Sequence, residues 1–103
     1  NIIIVDDSIV RGNTMNHIVE LLKQTKVKKI TVVSAAPEIV NKNIYGLDIP
    51  TRGELISHHY TPTELAKKYG VEHVIFQDIE NLYKTITFHN KNISQLEVSI
   101  FKK

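Results

Sequence analysis

IIIVDDSIVRGNT, residues Ile2 to Thr14, brings together a strand, an acid pair, a glycine-bearing loop and a hydroxyl residue. Ile2 to Val5 are four β-branched residues in a row, the composition of a buried strand. Such a strand has no polar face and is expected to be covered on both sides, as in parallel sheets. Asp6 ends it and Asp7 opens the loop. The stretch Thr14 to about Thr25 then places Met15, Ile18, Val19, Leu21 and Leu22 on one helical face. Asn13 or Thr14 can cap that helix. Lys28-Lys29 precede Ile30 to Val33, a second apolar run. The order strand, helix, strand with this spacing predicts a right-handed parallel crossover.

Outward from this unit, Ser34 to Pro50 carries Pro37, Asn41, Asn43, Gly46 and Pro50 and reads as an irregular surface stretch. A short helix is expected over Thr51 to Ser57. Thr61-Pro62-Thr63-Glu64 is a capping box with proline at the first helical position, and Gly70 supplies a left-handed stop. His73 to Phe76 reads as strand three. Asp78 caps a short helix carrying Ile79, Leu82 and Tyr83. The tail Thr87 to Lys103 alternates weakly around Leu96, Val98 and Ile100, the pattern of an edge strand or hairpin. The fold class is therefore α/β, a mainly parallel sheet with flanking helices.

At 103 residues and 42% apolar composition, the chain is one modest domain with a real core. Its formal charge is +2, and no basic run is longer than two residues, which gives nucleic-acid binding little support. The absence of cysteine excludes disulfides, thiolate metal sites and a cysteine nucleophile within the chain. No apolar run reaches membrane-spanning length and no signal peptide is visible, so no membrane association and a cytoplasmic location are expected. Asn1 leads straight into a strand, the look of a piece cut from a longer chain. His58-His59 lack a third ligand at useful spacing, and His17, His73 and His89 are isolated, so surface or packing roles are expected. Tyr60, Tyr69, Phe76 and Tyr83 read as core or shell.

In open parallel sheets ligands sit at the carboxyl ends of the strands, where Asp6 and Asp7 fall. Adjacent strand residues point to opposite sides, so both acids reach one ligand only if the chain turns at Asp7. Paired carboxylates accept hydrogen bonds from vicinal hydroxyls and attract a hard cation such as Mg²⁺. The N–H groups from Ser8 to Thr14 can form an anion nest at the positive end of the helix, with Gly12 permitting close approach. Ser8 and Thr14 add hydroxyls. Arg11 is either a phosphate partner or a solvated loop cation. A plain turn after a strand is the simpler reading of Asp-Asp-Ser alone; the whole arrangement favours a sugar-phosphate site.

The segment resembles the phosphoribosyl pyrophosphate motif of type I phosphoribosyltransferases. VDDSIVRG at 5–12, SAAPEI at 34–39, NIYGLDIPTRGELI at 43–56, FQDIENL at 76–82 and ISQLEVSIF at 93–101 together resemble, in order and spacing, the carboxyl-terminal half of the glutamine phosphoribosylpyrophosphate amidotransferases. The resemblance spans nearly the whole chain. It implies a partial type I phosphoribosyltransferase (Rossmann-like) fold, with residues 1–103 the carboxyl-terminal portion of that domain. It implies that Asp6 and Asp7 hold the ribose hydroxyls and help bind Mg²⁺. It implies that Ser8, Ile9, Val10, Arg11, Gly12, Asn13 and Thr14 wrap the 5′-phosphate. Threonine is usual where this chain has Asn13, which keeps a side-chain donor.

Some relatives carry an iron–sulfur cluster, with a cysteine just before the Tyr-Gly of the middle motif. Asn43 stands there, so the resemblance implies the cluster-free branch and no iron–sulfur cluster. The family's glutaminase domain, closing loop and pyrophosphate-binding segment are not in this sequence, so the 103 residues alone are expected to lack both half-reactions. No catalytic residue is assigned within them. The parent enzyme would convert phosphoribosyl pyrophosphate and glutamine to 5-phosphoribosylamine, the first committed step of purine biosynthesis. It would respond to purine nucleotides and form a homo-oligomer. The alternatives are a nucleobase-salvage phosphoribosyltransferase, for which no base-recognition segment is identifiable, and a non-enzymatic phosphoribosyl-binding regulator, for which no DNA-binding module is visible.

Overall fold

The computed structural model describes residues 1–42 and 52–101. Three parallel strands form one sheet in the order β1-β2-β3: β1 is Ile2–Asp6, β2 is Ile30–Ser34 and β3 is His73–Phe76. The register pairs Ile2 with Ile30 and Asp6 with Ser34, then Thr31 with His73 and Ser34 with Phe76. The carboxyl ends of the three strands are thus level, which puts the loops after them on one edge. Among the described residues four helices accompany the sheet: α1 Asn13–Lys23, α2 Ile56–His59, α3 Pro62–Tyr69 and α4 Ile79–His89.

The core lies on one face of the sheet. Ile30, Val32 and Val74 meet Met15 and Val19 of α1 and Leu65, Ala66 and Tyr69 of α3, with Ile9 of the first loop among them. Met15 and Val19 are one helical turn apart, and Ile18 and Leu22 flank them half-buried. Leu21 does not join this face. It sits one residue off the stripe and is exposed.

Other sequence expectations change as well. β1 is not covered on both sides by the described residues. Ile4 packs against the core, whereas Ile3 and Val5 are 68% and 69% exposed. Strand alternation divides them between the two faces, and α1 and α3 pack on the face of Ile4. The tail holds no strand among the described residues. α4 runs on to His89, and the chain then forms a 3₁₀ turn at Ser99–Phe101. That turn is bound to the segment after β2, because the Val40 and Asn41 N–H groups both donate to the Ile100 carbonyl. The stretch after β2 is also not a surface loop at its start. Ile39 and Val40 are buried, and Ile39 packs with Leu55 in a second small core beside Val10, Ile100 and Phe101.

The local signals at the later helices hold. Thr61 accepts from the Glu64 N–H while the Glu64 carboxylate accepts from the Thr61 N–H, and Gly70 ends α3 at φ 69°. The Asp78 carboxylate caps α4 by accepting from the Glu80 and Asn81 N–H groups at 2.7 and 3.3 Å. The single helix expected over Thr51 to Ser57 is instead a 3₁₀ turn at Arg52–Glu54 and the short α2, parted by Leu55 in an extended conformation. Leu55 is fully buried, so the break turns it into the second core. Thr51 lies outside the described residues, as do Asn43, Tyr45, Gly46 and Pro50.

Candidate sugar-phosphate site

β1 stops at Asp6 and the chain bends at Asp7. The bend is built from both sides. The Asp7 N–H donates to Asp6 Oδ1 at 2.8 Å. From the extension of β2, the Ala35 N–H donates to the Asp6 carbonyl and the Ala36 N–H to the Asp7 carbonyl, each at 2.9 Å. Ser34, 1% exposed, donates its hydroxyl to the Ala36 carbonyl at 2.8 Å. The SAAPEI stretch is therefore the brace that holds the backbone of the acid pair. With the chain turned, both aspartates line one open cavity of about 430 Å³.

The same cavity is lined without interruption by Asp6, Asp7, Ser8, Ile9, Val10, Arg11, Gly12, Asn13, Thr14 and Met15. Every residue expected at the site is thus brought together. Ile9 and Met15 are almost fully buried and root the loop in the core. Behind the loop, the Ile56 N–H at the start of α2 donates to the Val10 carbonyl at 2.8 Å. Arg11 reaches toward Glu54 at 3.9 Å, both side chains being close to half exposed. A pair so placed is screened by water and worth little, which leaves the guanidinium available at the rim.

Helix α1 begins one residue earlier than expected, and the cap changes with it. Gly12 is the cap residue, at φ 81°, and no side chain caps the helix. Neither Asn13 nor Thr14 fills that role; Asn13 is already the first helical residue. The positive φ is the reason: glycine takes the left-handed region without the Cβ penalty. An uncapped start leaves the first N–H groups of α1 facing outward at the positive end of the helix dipole. The residues of that end line the same cavity as the two aspartates.

The sequence marks Tyr69 as a core or shell aromatic, and the structure places it in the core. Its side chain is 3% exposed, and its hydroxyl donates to the Gly12 carbonyl at 3.1 Å. Burial pushes the Tyr69 phenol up, so it stays protonated and able to donate. Lys23 Nζ donates to the Tyr69 carbonyl at 2.5 Å, tying the ends of α1 and α3 together. No motif carries the Tyr69–Gly12 contact, since its partners lie 57 residues apart. The histidines behave as surface groups. His58 and His59 are exposed, and His59 Nε2 lies 2.8 Å from the Gly53 carbonyl.

No family model matches the chain. Curated relatives do, and they are amidophosphoribosyltransferases. The chain is 45% identical to the one from Pasteurella multocida and 42% identical to the one from Escherichia coli, in each case over 98% of its own length and 20% of the relative's. A solved structure, the glutamine phosphoribosylpyrophosphate amidotransferase from B. subtilis complexed with ADP and GMP, superposes with a TM-score of 0.74 at 30% identity. That match covers 96% of this chain and 20% of the other. The three parallel strands and their flanking helices are thus those of a type I phosphoribosyltransferase-like fold. Along nearly its whole length the chain is a homologue of amidophosphoribosyltransferases, and it spans about one fifth of the length of the curated relatives it matches.

Proposed function

We propose that this chain grips the ribose 5-phosphate part of phosphoribosyl pyrophosphate in an amidophosphoribosyltransferase. One observation carries the reading: Asp6, Asp7 and the uncapped start of α1 line a single cavity. A ribose 5-phosphate has the matching pattern, two vicinal hydroxyls at one end and a dianion at the other. Asp6 and Asp7 accept from the 2′ and 3′ hydroxyls. Ser8 to Thr14 surround the 5′-phosphate through backbone N–H groups, with the Ser8 and Thr14 hydroxyls beside them. Residues 1–103 are on this reading the carboxyl-terminal portion of a phosphoribosyltransferase domain.

The donor set also fits Mg²⁺ brought in with substrate. Among the described residues no group of three or more His, Cys, Asp or Glu side chains stands together. Mg²⁺ needs only one or two carboxylates when phosphate oxygens and water complete its shell. Asp6 and Asp7 would hold it, and the ion would supply neutralisation of negative charge on the diphosphate. In the reaction proposed for the whole protein, ammonia released from glutamine forms a bond to the anomeric carbon as the carbon–oxygen bond to pyrophosphate breaks. The product is 5-phosphoribosylamine, and the nitrogen sheds a proton. The part played by this chain is positional: it fixes both ends of the ribose so that one face of the anomeric carbon is presented. Carboxylates close to that carbon also favour positive charge developing there.

Purine nucleotides are proposed as further ligands of the whole protein, supported by the ADP and GMP bound in the B. subtilis relative. A homo-oligomer and a cytoplasmic location complete the proposal. Among the described residues no helix is long and apolar enough to cross a membrane. The test is calorimetry of phosphoribosyl pyrophosphate binding to the full-length protein with and without Mg²⁺. Asp6→Asn with Asp7→Asn should weaken the Mg²⁺-dependent binding at least tenfold while the fold stays intact. Unchanged affinity would overturn the ribose-and-metal assignment.

A further inference from the structure

We infer that Tyr69 is a positioning residue for the 5′-phosphate, acting through the Gly12–Asn13 peptide rather than by touching ligand. The inference rests on the proposed sugar-phosphate reading and deepens it. Its starting point is the buried hydroxyl of Tyr69, which donates to the Gly12 carbonyl at 3.1 Å. That carbonyl also accepts the Asn16 N–H at 3.0 Å, the first hydrogen bond of α1. In a trans peptide the C=O and the N–H of one unit point in opposite directions. Two donors holding the Gly12 oxygen on the helix side therefore turn the Asn13 N–H the other way, out of the start of α1. That is the direction from which an anion approaches a helix N-terminus.

The arrangement is specific to this peptide. The helical bond from Asn16 holds the oxygen along the helix axis, and the Tyr69 hydroxyl holds it from the side of α3. Gly12 itself imposes little, because glycine rotates about φ and ψ more freely than any other residue. A second brace acts two residues earlier, where the Ile56 N–H holds the Val10 carbonyl. By the same peptide geometry it turns the Arg11 N–H away from α2. The loop is thus fastened from behind at alternate carbonyls, and its N–H groups are left for a ligand. Tyr69 is the only one of these braces made by a side chain, so it can be removed without altering the backbone.

The test compares the full-length protein with its Tyr69→Phe variant, using ribose 5-phosphate and phosphoribosyl pyrophosphate as probes. The expected result is a dissociation constant for ribose 5-phosphate raised roughly threefold to tenfold, the effect of one net hydrogen bond. The factor by which saturating Mg²⁺ strengthens phosphoribosyl pyrophosphate binding should not change, since the acid end is untouched. Equal ribose 5-phosphate affinity in the two proteins would overturn the inference and leave the sugar-phosphate reading standing. A shift at both ends would reduce Tyr69 to a general structural role and overturn it as well. No binding of ribose 5-phosphate to the unsubstituted protein would remove the underlying reading itself. Should the variant fail to fold, amide exchange in the unsubstituted protein decides. Saturation with ribose 5-phosphate should slow exchange in the last turn of α3 together with the loop, and no change around Tyr69 would overturn the inference.

Discussion

Tyr69 Oη and the Gly12 carbonyl oxygen stand 3.1 Å apart, joining the end of α3 to the start of α1 across 57 residues of sequence. The contact needs a glycine. A Cβ on Gly12 would overlap the Tyr69 hydroxyl and press on Ile56, and the backbone there sits at φ 81°.

Gly12→Ala should therefore destabilise the protein for two separable reasons. An L-residue in the left-handed region costs about 1–2 kcal/mol, and the overlap with Tyr69 adds to it. Combining Gly12→Ala with Tyr69→Phe removes the oxygen that is struck but not the backbone cost. The double variant should be less destabilised than the sum of the singles, by about 0.5 kcal/mol or more. Denaturant midpoints of the three variants check this. Strict additivity would mean that the loop relaxes away from Tyr69 instead of meeting it.

How much of this could be read from the chain follows from the range of each interaction. The strands, the capping box at Thr61 and the Asp78 cap depend on residues within a few positions of one another, and they stand where local chemistry puts them. The acid pair and loop were legible for the same reason: strand, bend and helix start follow one another directly. Tyr69 and Ser34 were not legible as site supports, because each acts on a backbone oxygen that no side-chain pattern marks. The tail misled because alternation at Leu96, Val98 and Ile100 mimics a strand. Val98 is buried, but the backbone near it, at Ile100, pairs with the segment after β2 rather than with a sheet edge.

Arg11 and Glu54 give a prediction whose sign depends on ligand. Their side chains lie 3.9 Å apart and are 40% and 49% exposed, so Glu54→Gln should change stability by less than about 0.5 kcal/mol. If Arg11 meets the 5′-phosphate, freeing it from Glu54 should tighten ribose 5-phosphate binding modestly, while Arg11→Ala should weaken it. The difference between the variants should shrink in high salt, because both groups are solvated. Calorimetry at two salt concentrations reads all of this. Identical affinities would make Arg11 a plain loop cation.

The Thr61–Glu64 box predicts a pH dependence of α3. Hydrogen bonds from Thr61 hold the Glu64 carboxyl below its ordinary value of 4.5. A carboxyl lowered in the folded state contributes stability above that ordinary value and loses it as pH falls through the lowered one. Thermal melts should therefore show the contribution of Glu64 intact at neutral pH and fading below about pH 4.5. Glu64→Gln keeps a side-chain acceptor and should flatten that part of the profile. Thr61→Ala removes the cap itself and should cost about 1 kcal/mol at neutral pH. A Glu64→Gln profile that follows the unsubstituted protein down to pH 3 would remove the carboxyl from the account.

Ser34 offers the sharpest way to disturb the acids without touching them. Its hydroxyl is buried and donates to the Ala36 carbonyl, and the Ala36 N–H in turn donates to the Asp7 carbonyl. Asp6 is held separately, by the Ala35 N–H and by register with Ser34 in the sheet. Ser34→Ala leaves a part-buried carbonyl without its donor and should cost about 1 kcal/mol. Its effect on binding should fall on Asp7 more than on Asp6. In the Ser34→Ala background, Asp7→Asn should therefore weaken Mg²⁺-dependent phosphoribosyl pyrophosphate binding by a smaller factor than it does alone, whereas Asp6→Asn should weaken it by the same factor as before. Equal factors for Asp7→Asn in both backgrounds would show that the Ala36 rung holds its place without Ser34. The sheet register, not the hydroxyl, would then be what brings the second carboxylate into the cavity.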